Sequence, residues 1–127
     1  MRDMADSSGM QVGMFSFDCR DAAALAEFWA AVLQRTVDPG ATTEFATIGF
    51  DGGGPTWMFH RPDGEPAAGP NRLMLDLGGE PDWAEQADRI EALGAERISD
   101  NDLDGVRWVV FHDPEGNTFR IFAPRPV

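Results

Sequence analysis

What this 127-residue sequence lacks narrows its chemistry first. Cys19 is its one cysteine, so no internal disulfide can form and no cysteine-rich zinc site can be assembled. Cys19 therefore reads as a small buried hydrophobe rather than a nucleophile. No apolar run is long enough to cross a bilayer, and the segment Met1 to Gly9 lacks the apolar stretch and small-residue cleavage site of a secretory signal. Residues 1–11 are expected to form a loose tail on a cytoplasmic protein, with no membrane partner. The 10 basic residues form no cluster that would track a phosphate backbone, and a formal charge of −12 repels one, so nucleic acid is not an expected partner. A phosphate-cradling loop is missing as well, because Gly52-Gly53-Gly54 runs into Pro55 and not into a Lys-Ser/Thr pair opening a helix. Ser7, Ser8, Ser16 and Ser99 lack the flanking glycines of a nucleophile elbow.

What is present has a globular balance, 43% apolar and 25% charged, in a chain of one-domain size. The excess of carboxylates either keeps the surface soluble or attracts a cationic ligand. From Val12 to Cys19 the sequence is β-compatible, and Asp21 offers a cap to an alanine-rich helix. Within Ala22 to Leu33 the larger apolar residues fall at Leu25, Phe28, Trp29, Val32 and Leu33, the spacing of a stripe that packs on a sheet. Strands are expected around Arg35 to Asp38, Glu44 to Phe50 and Thr56 to Arg61, separated by Pro39-Gly40 and the glycine run.

Pro62 to Pro70 has the composition of a connecting loop. Beyond it the order repeats. Asn71 to Leu77 alternates as a strand, Pro81 opens a helix with Asp82 and Glu85 in its first turn, and Trp83, Ala87, Ile90 and Leu93 form its buried stripe before Gly94. Strands around Ala95 to Ser99, Val106 to His112 and Thr118 to Ala123 complete it. Strand, helix and three strands thus occur twice, giving an α+β domain over 12–127 made of βαβββ modules at 12–61 and 70–124.

Three segments carry a further likeness: Asp18-Cys19-Arg20-Asp21 leading into Leu25-Ala26-Glu27-Phe28-Trp29-Ala30-Ala31-Val32-Leu33, then Asn71-Arg72-Leu73-Met74-Leu75-Asp76-Leu77, and Asp113-Pro114-Glu115-Gly116-Asn117-Thr118-Phe119. Together they resemble the vicinal oxygen chelate superfamily, in its glyoxalase-like and bleomycin-resistance-like branch, over nearly everything from Val12 to Pro124. The most specific piece is Asp113 to Asn117, a turn signature ahead of the last strand. Gln34 departs from the pattern, standing where the family usually has a helix-ending glycine.

The resemblance implies the glyoxalase/bleomycin-resistance/dioxygenase fold, two βαβββ modules whose curved mixed sheets surround a shared, partly open cavity, usually completed in a homodimer. Many members bind a divalent metal there through a His or Gln on the first strand, a His on the strand opening the second module and a Glu on the last. Aligned by motif, those positions hold Met14, Met74 and Arg120. A thioether is a weak donor to such cations, and a guanidinium repels them. Two methionines would suit copper(I), but filling an irregular apolar pocket is their commoner use. No metal and no cofactor are expected.

Alternation places Met14, Ser16 and Asp18 on the cavity face of the first strand, Arg72, Met74 and Asp76 on that of the fifth, and Thr118, Arg120 and Phe122 on that of the last. Leu73, Leu75, Leu77, Phe119 and Ile121 then lie behind. Arg120 either clamps a ligand carboxylate or phosphate, or pairs with Asp76 or Asp18. Asp76 is a general base only if desolvation raises its pKa. Trp57, Phe59 and Trp108 supply aromatic surface, to the cavity or to the core. The candidate ligand-binding set is thus Met14, Asp18, Trp57, Phe59, Met74, Asp76, Trp108, Arg120 and Phe122, while His60 and His112 are expected to bond loop backbone. The function expected is metal-independent binding of a small organic molecule, for sequestration or sensing. The alternative is an enzyme of the same superfamily acting on a carbonyl or carboxylate compound by metal-free acid–base catalysis. A purely structural domain would need its cavity filled by its own side chains.

Overall fold

Strand β1, Met14–Asp18, turns Phe17 into the core and leaves Met14, Ser16 and Asp18 outside. The helix α1, Ala22–Leu33, starts where expected: the Asp21 carboxylate accepts the Ala24 N–H at 3.0 Å, satisfying one of the amides a helix start leaves free. These belong to a computed structural model that describes residues 9–63 and 69–125. The expected tail lies outside the described residues up to residue 8, as does 64–68 of the connecting loop.

The strands β2, Phe45–Ile48, and β3, Thr56–His60, complete the first sheet, in the order β1-β3-β2 with β1 parallel to β3. The second module runs β4, Leu75–Gly78; α2, Trp83–Ala92; β5, Glu96–Leu103; β6, Val106–His112; and β7, Thr118–Phe122. Its sheet has the order β4-β7-β6-β5, again with the first strand parallel to the last. The duplicated plan is therefore present in the topology, with one strand fewer in the first half.

The missing strand is the one expected at Arg35 to Asp38. There the Arg35 N–H closes the helix onto Ala30 at 2.8 Å, and only Asp38 bonds β2, through Thr47 at 2.9 Å. Pro39 has no N–H to continue the ladder. A second correction concerns Asn71 to Leu77: β4 begins only at Leu75, and Leu73, expected in the core, is 65% exposed. The Asn71 backbone and side chain are instead drawn toward other partners, described next.

One helix serves both sheets. The α1 helix packs on β2 and β3, and its fully buried Trp29 meets Trp57 of β3 at 5.4 Å and Phe119 of β7 at 4.8 Å between ring centroids. From α2, Arg89 donates to the carbonyls of Ala31 and Val32 at 2.9 Å each, placing a cation at the C-terminal end of α1.

The turn from Asp113 to Asn117 joins the modules. Asp113, buried at 4% exposure, accepts the Trp29 indole N–H at 3.0 Å, the Asn117 amide side chain at 2.8 Å, and the backbone N–H groups of Glu115 and Asn117. Asn117 in turn accepts from the Asn71 backbone at 2.7 Å and side chain at 2.9 Å. Asn71 bonds both the N–H and the carbonyl of Asp18 in β1, and Glu115 accepts the N–H groups of Arg20 and Asp21. Bonds to a buried ionised acceptor are worth on the order of 2 kcal/mol each.

Gln34 ends α1 in the left-handed region, at φ 57° and ψ 47°, with its N–H directed at the Ala30 and Ala31 carbonyls. A side chain there suffers a steric penalty that glycine escapes. Gln34→Gly is expected to stabilise the chain by about 1 kcal/mol in urea unfolding; an unchanged or lowered midpoint would show that the glutamine side chain compensates for its backbone.

Candidate functional site

Strand register decides which side chains share the face away from the helices. In β1 and β3 the pairs Phe15–Trp57 and Phe17–Phe59 lie on the helix side, so Met14, Ser16, Asp18 and Met58 share the open side. In the second sheet Leu75, Leu77, Phe119 and Ile121 face the core, and Asp76, Arg120, Phe122 and Trp108 face out. The facing expected for β1, β4 and β7 is thus observed, with Met74 just ahead of β4.

Trp57 and Phe59 are the corrections. Phe59 is 0% exposed and stacks on Phe17 at 5.0 Å, while Trp57 packs against Phe15, Phe17 and Trp29. Both are core. The residue between them, Met58, is the one that alternation delivers to the open face, beside Ser16 and Thr47 in register. The signal was the parallel pairing of β1 with β3, which ties the facing of Phe59 to that of Phe17.

On the second sheet's open face Arg120 donates from Nε and Nη2 to the two oxygens of Asp76, at 2.7 and 2.8 Å. The pair bridges β7 and β4 at positions opposite one another. Hydrogen bonding to Asp76 pushes the Arg120 guanidinium pKa up, keeping it charged. The guanidinium carbon lies 5.1 Å from the Phe122 ring centroid, and Phe122 stacks with Trp108 at 5.6 Å. Ion pair and aromatic pair make one preorganised row across β4, β7 and β6.

A concavity of about 710 Å³ opens beside this row, lined by Asp76, Leu77, Gly78, Gly79, Val106, Phe122, Ala123 and Arg125. Asp18 does not line it. It borders a smaller space of about 310 Å³ with Arg20, Pro114, Glu115 and Asn117, at the junction of the modules. The expected single cavity is therefore represented by separate concavities; Val106 was not foreseen because only Trp108 was singled out of its strand, and Arg125 because it follows the last strand. Met14 and Met74 remain accessible, at 42% and 43% exposure.

The donor set does not fit the metal that this architecture often carries. Met14 and Met74 offer thioethers, and Arg120 is a cation already bound to the one nearby carboxylate. Among the described residues no group of three or more His, Cys, Asp or Glu side chains is arranged to hold a metal ion.

The sequence pattern of the glyoxalase-like domain family matches residues 14–122. The chain belongs to that family. No curated protein matches the sequence. Solved structures share its fold: a glyoxalase/bleomycin resistance protein/dioxygenase family enzyme from Burkholderia phytofirmans PsJN, at 18% identity and TM-score 0.73, covers 91% of this chain with 100% of its own. A glyoxalase-related enzyme from Fulvimarina pelagi, 16% identical with TM-score 0.71, covers 91% of this chain with 88% of its own. Lactoylglutathione lyase from Agrobacterium tumefaciens, 14% identical with TM-score 0.65, covers 91% with 95% of its own. At such identities the likeness concerns the fold.

Cys19 of this glyoxalase-like domain is 2% exposed, and burial, reinforced by the nearby carboxylate of Glu115, pushes its thiol up to about 12. A thiol held neutral in this way is a poor nucleophile. The sequence contains neither lysine nor tyrosine, so Cys19 is the side chain that titrates between pH 9 and 12. Because its folded pKa lies above the ordinary value of 9.0, the contribution is complete below pH 9 and is lost as pH rises toward 12. Urea unfolding at stepped pH is expected to show stability falling through that window by at most about 1.4 kcal/mol per pH unit, with Cys19→Ala flattening the fall. An identical slope in the variant would refute the assignment.

Proposed function

We propose that this glyoxalase-like domain binds a small organic molecule on the open face of its second sheet without a metal ion, as a sequestering or sensing protein. The observation that carries the reading is the bidentate Asp76–Arg120 pair, which fills the position of a usual metal ligand with a fixed cation. Beside it lie the Trp108–Phe122 stack and a concavity of about 710 Å³ with apolar and charged walls, the ordinary make-up of a small-molecule site. Acid–base catalysis draws less support. Both oxygens of Asp76 are engaged by Arg120, and His112 Nδ1 lies 3.7 Å from Glu96, beyond hydrogen-bond reach.

The same reading makes the protein a cytoplasmic homodimer. Leu73, Met74, Met14 and Phe45 are exposed apolar residues, and a second copy covering part of them would deepen the open face into a cavity. None of the helices among the described residues is long and apolar enough to cross a membrane.

Elemental analysis of the full chain after dialysis against zinc, manganese or iron(II) is expected to find no stoichiometric metal. The combined substitutions Met14→His, Met74→His and Arg120→Glu restore imidazole and carboxylate donors and are expected to confer zinc uptake. One equivalent of metal on the unaltered chain, lost on Met14→Leu with Met74→Leu, would overturn the metal-free reading.

A further inference from the structure

Resting on that binding reading, we infer that the ligand is an organic anion, a carboxylate with an apolar body, held in the concavity where β4 and β7 end. The charge of −12 would by itself favour a cation. Charges beyond about 10 Å are screened at physiological salt, however, so the groups at the concavity decide the sign. Asp76, its one acidic lining residue, is already neutralised through both oxygens by Arg120. Arg125 lines the same space and has no ion-pair partner among the described residues. Arg125 is thus the lining charge left to meet a ligand, on a protein that is acidic as a whole.

The geometry of the donors points the same way. Arg120 spends Nε and Nη2 on Asp76, which leaves Nη1 without a hydrogen-bond partner among the described residues. Its position is fixed by Asp76 and by the Phe122 ring, so little side-chain freedom is lost when an oxygen is accepted there. A ligand carboxylate would pair with Arg125 in the concavity, with the Arg120 guanidinium, held behind the Asp76 and Phe122 walls, adding to the attraction. An ammonium would face the Arg125 guanidinium, with the single lining carboxylate already taken by Arg120.

The remaining walls suit an apolar body. Leu77, Val106, Phe122 and Ala123 supply it, and Gly78 and Gly79 keep the floor low. A Cβ on Gly78 would collide with the Phe122 carbonyl, and both glycines sit at positive φ, 116° and 86°. Trp108 and Arg120 already pack on the Phe122 ring, so the body meets the aliphatic walls and the edge of a row that is held in place before binding.

The test uses three probes with one body, phenylbutyrate, phenylbutanol and phenylbutylamine, titrated into the full-length chain while amide chemical shifts are followed by NMR. Phenylbutyrate is expected to bind about ten-fold more tightly than the alcohol, with the amine weakest. Shifts should concentrate at Gly78, Gly79, Val106 and Ala123. Arg125→Gln, at an exposed position that does not support the fold, is expected to weaken phenylbutyrate alone by about three-fold. Equal or tighter binding of the alcohol or amine at these amides would overturn the anion assignment and leave the binding reading standing. If no probe moved any amide of the open face, both would fall.

Discussion

The carboxylate of Asp113 is the constraint on which the other features depend. It is buried, it accepts four hydrogen bonds, and its donors come from α1 and from its own turn. Through Asn117 and Asn71 the same network reaches the backbone of β1, and through Glu115 it reaches the entry to α1. A buried anion with so many donors is costly to lose, because every donor left behind would be unsatisfied in an apolar core. The turn therefore fixes the second module against the first at the level of single atoms, together with the bonds from Arg89 to the end of α1.

What that fixation delivers is a pair of sheets whose helix-facing sides are consumed by one core and whose other sides are left open. The open sides differ. The first carries the sulfurs of Met14 and Met58 and the hydroxyl of Ser16; the second carries a rigid row of Trp108, Phe122, Arg120 and Asp76. A fold that elsewhere positions donors around a cation here positions a guanidinium. On the reading proposed above, that guanidinium serves as a hydrogen-bond donor of fixed charge, which suits recognition.

Much of this was legible in the residues. The period of α1, its Asp21 cap, the repeated strand–helix–strand order and the motif from Asp113 to Asn117 led to the architecture and the family, and alternation gave the correct facing of β1, β4 and β7. Three things were not legible, each for a physical reason. The edge strand at Arg35 to Asp38 failed because the Arg35 N–H is claimed by the helix end and Pro39 has no N–H to carry the ladder past the single Asp38 bond to β2, a competition that propensity does not register. The N-terminal half of the strand at Asn71 was lost to the hydrogen bonds that Asn71 makes with Asp18 and Asn117, tertiary partners invisible in a local window. Trp57 and Phe59 were assigned to the cavity because aromatic residues suit either face; only pairing with Phe17 decides it.

If the Asp113 network makes the modules one cooperative unit, native-state amide hydrogen exchange is the measurement that exposes it. The slowest amides of β1 and β3 and those of β6 and β7 are expected to open with the same free energy, and Asp113→Asn to lower both sets equally. Exchange in which the first sheet opens at a distinctly smaller free energy while the second stays closed would contradict the account.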